Sequence, residues 1–114
     1  MRVLVVEDQW HVAHALKSLL EVEGMKVRGP ASTAADALRL ATEQKPDLAV
    51  VDINLKGGEM AYDLIDRLRD QGVRIVVVSG YAVLPLLSGK AAAVLQKPFN
   101  GPELLGALRG ALSP

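Results

Sequence analysis

The sequence predicts an open α/β fold in which a parallel sheet carries five βα units, and three observations point there. Short valine-rich runs alternate with stretches of helical period, those runs read as strands buried on both faces, and the chemically active side chains fall at their carboxyl ends. At 114 residues, half of them hydrophobic, the chain has room for one domain with one core, so residues 1–114 are taken as a single domain.

Each element has its own signal. Val3 to Val6 makes the first strand and ends in Glu7 and Asp8. Val12, Leu16, Leu19 and Leu20 recur at helical spacing, which predicts a helix over 10–23 stopped by Gly24. Val27 lies in a second, less apolar strand. Thr33 followed by Asp36 resembles a capping box before Ala37, Leu38 and Ala41, with Lys45-Pro46 as the stop. The run Leu48-Ala49-Val50-Val51 delivers Asp52. Met60, Leu64, Ile65 and Leu68 mark a third helix that Gly72 is placed to end, and Ile75 to Val78 delivers Ser79. Tyr81 to Lys90 carries Pro85 and Gly89 and holds barely two helical turns, so a fourth helix is expected to be short or mobile. Val94-Leu95 then leads to Lys97. Asn100 is placed to cap the last helix, with Pro102 and Glu103 in its first turn and Leu104, Leu105, Leu108 and Leu112 on its buried side.

Composition removes several function classes. Thirteen basic residues balance thirteen acidic ones, which leaves no basic stripe to neutralise a run of phosphates and argues against direct nucleic-acid binding. Cysteine is absent, and with it disulfides, thiolate metal sites and cysteine nucleophiles. The chain enters its first strand directly after Met1-Arg2 without a secretory signal or a membrane-spanning run, so a cytoplasmic location with no membrane insertion is expected.

An open parallel sheet places its ligand site at the carboxyl ends of its strands. Glu7, Asp8, Asp52, Ser79 and Lys97 all fall on that edge. Three carboxylates brought close together cannot all stay ionised cheaply without a cation. Magnesium, which prefers oxygen ligands and keeps several waters, suits Glu7, Asp8, Asp52 and the backbone carbonyl of Asn54, whereas zinc lacks histidine or cysteine beside them. An aspartate can attack a phosphoryl donor to give an acyl phosphate, with Lys97 as a point charge and Ser79 as a hydroxyl donor to the phosphoryl oxygens. Taken singly, each residue has an ordinary explanation: aspartate often ends a strand, serine often starts a turn, and a lysine before proline is often solvated. Their joint order on one sheet edge is what favours the site.

The order Glu7-Asp8, Asp52, Ser79 and Lys97-Pro98-Phe99 resembles the receiver domain of two-component response regulators, over the whole chain. The resemblance implies a flavodoxin-like three-layer sandwich with strand order 2-1-3-4-5 and phosphotransfer from a histidine kinase. It implies that Asp52 is the phosphoacceptor, that Glu7 and Asp8 hold Mg2+, that Ser79 is the switch hydroxyl, that Lys97 contacts the phosphate, and that Lys97-Pro98 is a cis peptide. Two departures stand out. Receiver domains usually carry an aromatic residue three positions before the lysine, where this chain has Val94. The segments Val77-Val78-Ser79-Gly80-Tyr81 and Ile53-Asn54-Leu55-Lys56-Gly57-Gly58 are similar to the single-domain FAT GUY regulators of alphaproteobacteria, which are often paired with HWE or HisKA2 histidine kinases, although Val77-Val78-Ser79 replaces the Phe-Ala-Thr of that group's name. With no aromatic at 94, Tyr81 is the ring expected to move with Ser79.

The remaining residues carry weaker readings. His11 and His14 are taken as solvent-facing residues of the first helix rather than phosphohistidines. Trp10 covers the start of that helix and sits where metal binding should perturb it. Gly57-Gly58 lacks the lysine and hydroxyl of a phosphate-binding loop and reads as a turn. The Leu104 to Leu112 stripe is core packing by default. Two other functions compete: an aspartate-nucleophile phosphatase or phosphotransferase, which usually has a second aspartate where this chain has Asn54, and a pseudo-receiver that binds partners without phosphorylation. The expected protein is a non-enzymatic phosphoacceptor that signals to a protein target or drains phosphate from a shared kinase, as a monomer or weak dimer. Ending right after the last helix with no linker favours a stand-alone regulator if the chain is complete.

Overall fold

The computed structural model describes residues 1–55, 60–80 and 89–112. The predicted fourth helical segment at 81–90 falls almost wholly outside these residues, as do Tyr81 and the Gly57-Gly58 turn. Along the chain the elements are β1 (Arg2–Val6), α1 (Trp10–Val22), β2 (Lys26–Ala31), α2 (Ala34–Glu43), β3 (Leu48–Asp52), α3 (Tyr62–Asp70), β4 (Arg74–Ser79), β5 (Ala93–Gln96) and α4 (Gly101–Leu112). The five strands form one parallel sheet in the order β2-β1-β3-β4-β5.

Strand parity divides the core in two, because successive side chains point to opposite faces. On one face Leu4, Val6, Ala49, Val51, Ile75 and Val77 pack with Ala37 and Ala41 of α2 and with Leu64, Ile65 and Leu68 of α3. On the other, Val3, Val5, Val50, Val76 and Val78 meet Leu16 and Leu20 of α1 and Leu104 and Leu108 of α4. A sheet clad by helices on both sides leaves its strand ends as the accessible edge.

The caps hold the helices where the sequence places them. Thr33 Oγ1 accepts the Asp36 amide at 3.2 Å at the start of α2. At α4 the box is reciprocal: Asn100 Oδ1 accepts the Glu103 amide at 2.8 Å, and the Asn100 amide donates to Glu103 Oε1 at 3.2 Å. Gly72 stands just beyond α3 with a φ of 83°, a left-handed conformation that side chains disfavour. Met60 departs from expectation. It is not in α3 but pairs with Asn54 in an isolated antiparallel bridge, and the Ala61 amide donates to the Ile53 carbonyl at 2.9 Å. The second strand also differs from the plain strand expected around Val27. Its register against β1 shifts between Leu4 and Val6, Gly29-Pro30 is a cis peptide, and Gly29 has a φ of 93°. A Cβ at Gly29 would stand 2.8 Å from the Val5 carbonyl oxygen, so only glycine fits that approach.

Candidate functional site

The strand order brings the predicted residues together. Central strands β1 and β3 are neighbours, with Val6 opposite Val51, so Glu7 and Asp8 emerge beside Asp52. Strand β4 continues the row with Ser79, and the Lys97 amide donates to the Ser79 carbonyl at 2.7 Å, which fixes the end of β5 against β4. Glu7, Asp52 and Ser79 are buried, while Asp8 is exposed.

Glu7, Asp8 and Asp52 each offer a carboxylate oxygen within 4.8 Å of the others. Lys97 Nζ stands between two of them, 3.1 Å from Glu7 Oε1 and 2.9 Å from Asp52 Oδ2. Backbone amides take the other oxygens: Gln9 donates to Glu7 Oε2 at 3.3 Å and Asn54 to Asp52 Oδ1 at 3.0 Å. The two buried acids are thereby oriented from both sides, and neither needs a solvent contact to be satisfied.

The electrostatics are those of a site short of positive charge. Burial pushes the Glu7 carboxyl up, and the adjacent Asp52 pushes it further through a hydrogen bond and its charge; Lys97 draws it back only in part, leaving it at about 7. Burial works to lower the Lys97 ammonium, yet its bonds to Asp52 and Glu7 and their charges outweigh this and hold it above its usual value. A hard divalent cation relieves the same repulsion, and the all-oxygen donor set suits magnesium.

The sequence suggests a phosphoryl oxygen as the partner of Lys97 and carries no local signal for its bond to Glu7. Pro30 and Ser32, which line a cavity with Glu7, Asp8 and Trp10, are not marked by the motif order either. The Gly-Pro dipeptide was the available signal for that irregular strand. Lys97-Pro98 is a cis peptide. Val94 is half exposed on β5, and Tyr81 lies outside the described residues.

The model of the response regulator receiver domain matches residues 3–109. The chain belongs to this family. As a receiver domain of two-component response regulators it shares a fold with response regulator TrrA of Thermotoga maritima, solved in complex with Mg2+ and BeF, at a TM-score of 0.84 and 25% identity over 97% of this chain and 98% of that one. The KDP operon transcriptional regulatory protein KdpE of Escherichia coli is 33% identical over 96% of this chain and 50% of its own length. Sporulation initiation phosphotransferase F of Bacillus subtilis is 24% identical over 95% of this chain and 90% of its own. The chain spans 25% to 58% of the length of several other curated regulators that it matches. Receiver domains interact with histidine kinases or phosphotransfer proteins and bind Mg2+ at an acidic pocket, and the receiver domain here presents the acidic cluster of Glu7, Asp8 and Asp52. Among the described residues, no helix is long and apolar enough to cross a membrane.

Proposed function

We propose that Asp52 accepts a phosphoryl group from a histidine kinase or phosphotransfer protein. The observation that carries this is the setting of Asp52: a buried carboxylate held 2.9 Å from Lys97 Nζ and beside two further acids, in a receiver domain. A carboxylate oxygen of Asp52 forms the new bond to phosphorus as the bond from phosphorus to the donor atom breaks, and the donor keeps that electron pair. Lys97 pairs with a phosphoryl oxygen as a point charge, and the Ser79 hydroxyl donates to another. Glu7, Asp8, Asp52 and the Asn54 carbonyl would hold Mg2+, which would supply positive charge against the incoming group.

The domain acts as a stoichiometric acceptor in the cytoplasm, with no turnover of small phosphate esters. Residues 1–114 form one receiver unit of the FAT GUY kind, fed by an HWE or HisKA2 kinase. An apolar groove of about 630 Å3 between α1 and the loop after β5, lined by Val12, Ala15, Leu19, Pro98 and Phe99, supports docking of the donor protein there. The signal leaves through Ser79 and Tyr81, since Val94 supplies no ring.

Acetyl phosphate with Mg2+ should add one phosphoryl group by intact mass, and the addition should vanish in Asp52→Asn. Persistent labelling of that variant would sink the assignment.

A further inference from the structure

Trp10 is 73% exposed at the first position of α1, two residues beyond the acid pair. It lines a cavity of about 390 Å3 together with Glu7, Asp8, Ala13, His14, Pro30 and Ser32. That cavity therefore opens onto two carboxylates whose oxygens lie within 4.8 Å of one on Asp52. The indole contacts the His14 ring one turn along the helix, at 4.6 Å between centroids and 47° between planes, which braces it at the cavity wall. An exposed aromatic face at the wall of a cavity beside the phosphoacceptor suits a flat ring that carries positive charge.

We propose that Trp10 is a specificity-determining residue that receives the ring of a protonated N-phosphoimidazole donor on its indole face. The inference rests on the phosphoacceptor reading of Asp52. In the transfer, the bond from phosphorus to the ring nitrogen breaks as the bond from phosphorus to the Asp52 oxygen forms. The electron pair returns to the ring, which leaves as neutral imidazole and keeps its proton on the other nitrogen. Trp10 thus attracts the donor while its ring is cationic and holds the neutral product less firmly. Phosphoramidate carries the same phosphorus to nitrogen bond without a ring, so it offers Trp10 no flat face to stack on and only a small, strongly hydrated ammonium.

The test measures phosphorylation rates with N-phosphoimidazole and with phosphoramidate, both with Mg2+, by intact mass in the parent, Trp10→Ala and Trp10→Phe. In Trp10→Ala the ratio of the two rates should fall about fivefold, the scale of a cation over an exposed aromatic face, and Trp10→Phe should restore most of it. An unchanged ratio overturns the proposal, whether both rates stay or both drop together. Failure of both donors to label the parent would instead remove the phosphoacceptor reading on which it rests. The indole is mostly in solvent, so the alanine variant should keep its fold, and unchanged circular dichroism would confirm that the ratio reports donor selection.

Discussion

At the scale of residues, the pair of Glu7 and Lys97 sets how the site answers to pH. Glu7 titrates at about 7 in the folded chain against an ordinary 4.5. A carboxyl raised on folding binds its proton more tightly in the native state, so its contribution to stability is present in full below about pH 4.5 and is lost as pH rises through about 7. The difference is on the order of 3 kcal/mol. Urea unfolding of the metal-free protein should therefore show that Glu7→Gln is less affected than the parent by raising pH from 5 to 8 (roughly the window that linkage sets). A parallel course for both proteins would remove Glu7 as the source. The same proton competes with a cation, because a ligating carboxylate must be ionised. Magnesium affinity, followed by Trp10 emission or calorimetry, should fall as pH drops below about 7, and Asp8→Asn should weaken it at every pH. If neither changes, the acid pair does not hold the metal.

At the scale of elements, α4 carries the loop from Lys97 to Asn100, and its reciprocal cap ties that loop to the helix start. Asn100→Ala should cost about 1 kcal/mol, read as a lower midpoint of urea unfolding with an unchanged slope. Thr33→Ala, which removes a single bond at α2, should cost no more. Both caps were legible in the sequence because each is a contact between residues three apart. The end residues of β1, β3 and β4 were legible for a similar reason, since a valine run announces both the strand and where it stops. Met60 was not legible: its apolar side chain fits the period of α3, but the backbone pairing of Asn54 with Met60 closes the turn before that helix begins. Nor was the course of β2, whose polar residues are held by pairing with β1 and whose Gly29 is required by the Val5 carbonyl of another strand. Contacts between the ammonium of Lys97 and an acid 90 positions earlier depend on the closed sheet, and no local pattern encodes them.

At the scale of the molecule, the order β2-β1-β3-β4-β5 makes one edge from residues that the chain scatters between positions 7 and 97. The two core layers on either face hold the strands in register, and the charged groups gather where those layers end. A ligand that bridges the edge must then couple four strands at once. Mg2+ with beryllofluoride, the combination present in the TrrA complex, is a suitable stand-in for the phosphoryl group on Asp52. Anything that binds only the folded state stabilises it by mass action, about 2.7 kcal/mol at a hundredfold excess over Kd. In a domain of this size that corresponds to a rise in Tm of roughly 10 °C or more. The rise should need both components, since the anion alone meets three carboxylates and the cation alone leaves Ser79 without its new acceptor. Amide exchange should slow at the carboxyl ends of β1, β3, β4 and β5 and stay unchanged at Lys45 to Asp47 on the opposite edge. In Asp52→Asn, which keeps the shape of the side chain but removes its charge, both effects should disappear. An equal shift in that variant would mean that the ligand binds elsewhere, and protection spread evenly over both edges would mean general tightening rather than a bridge across the strand ends.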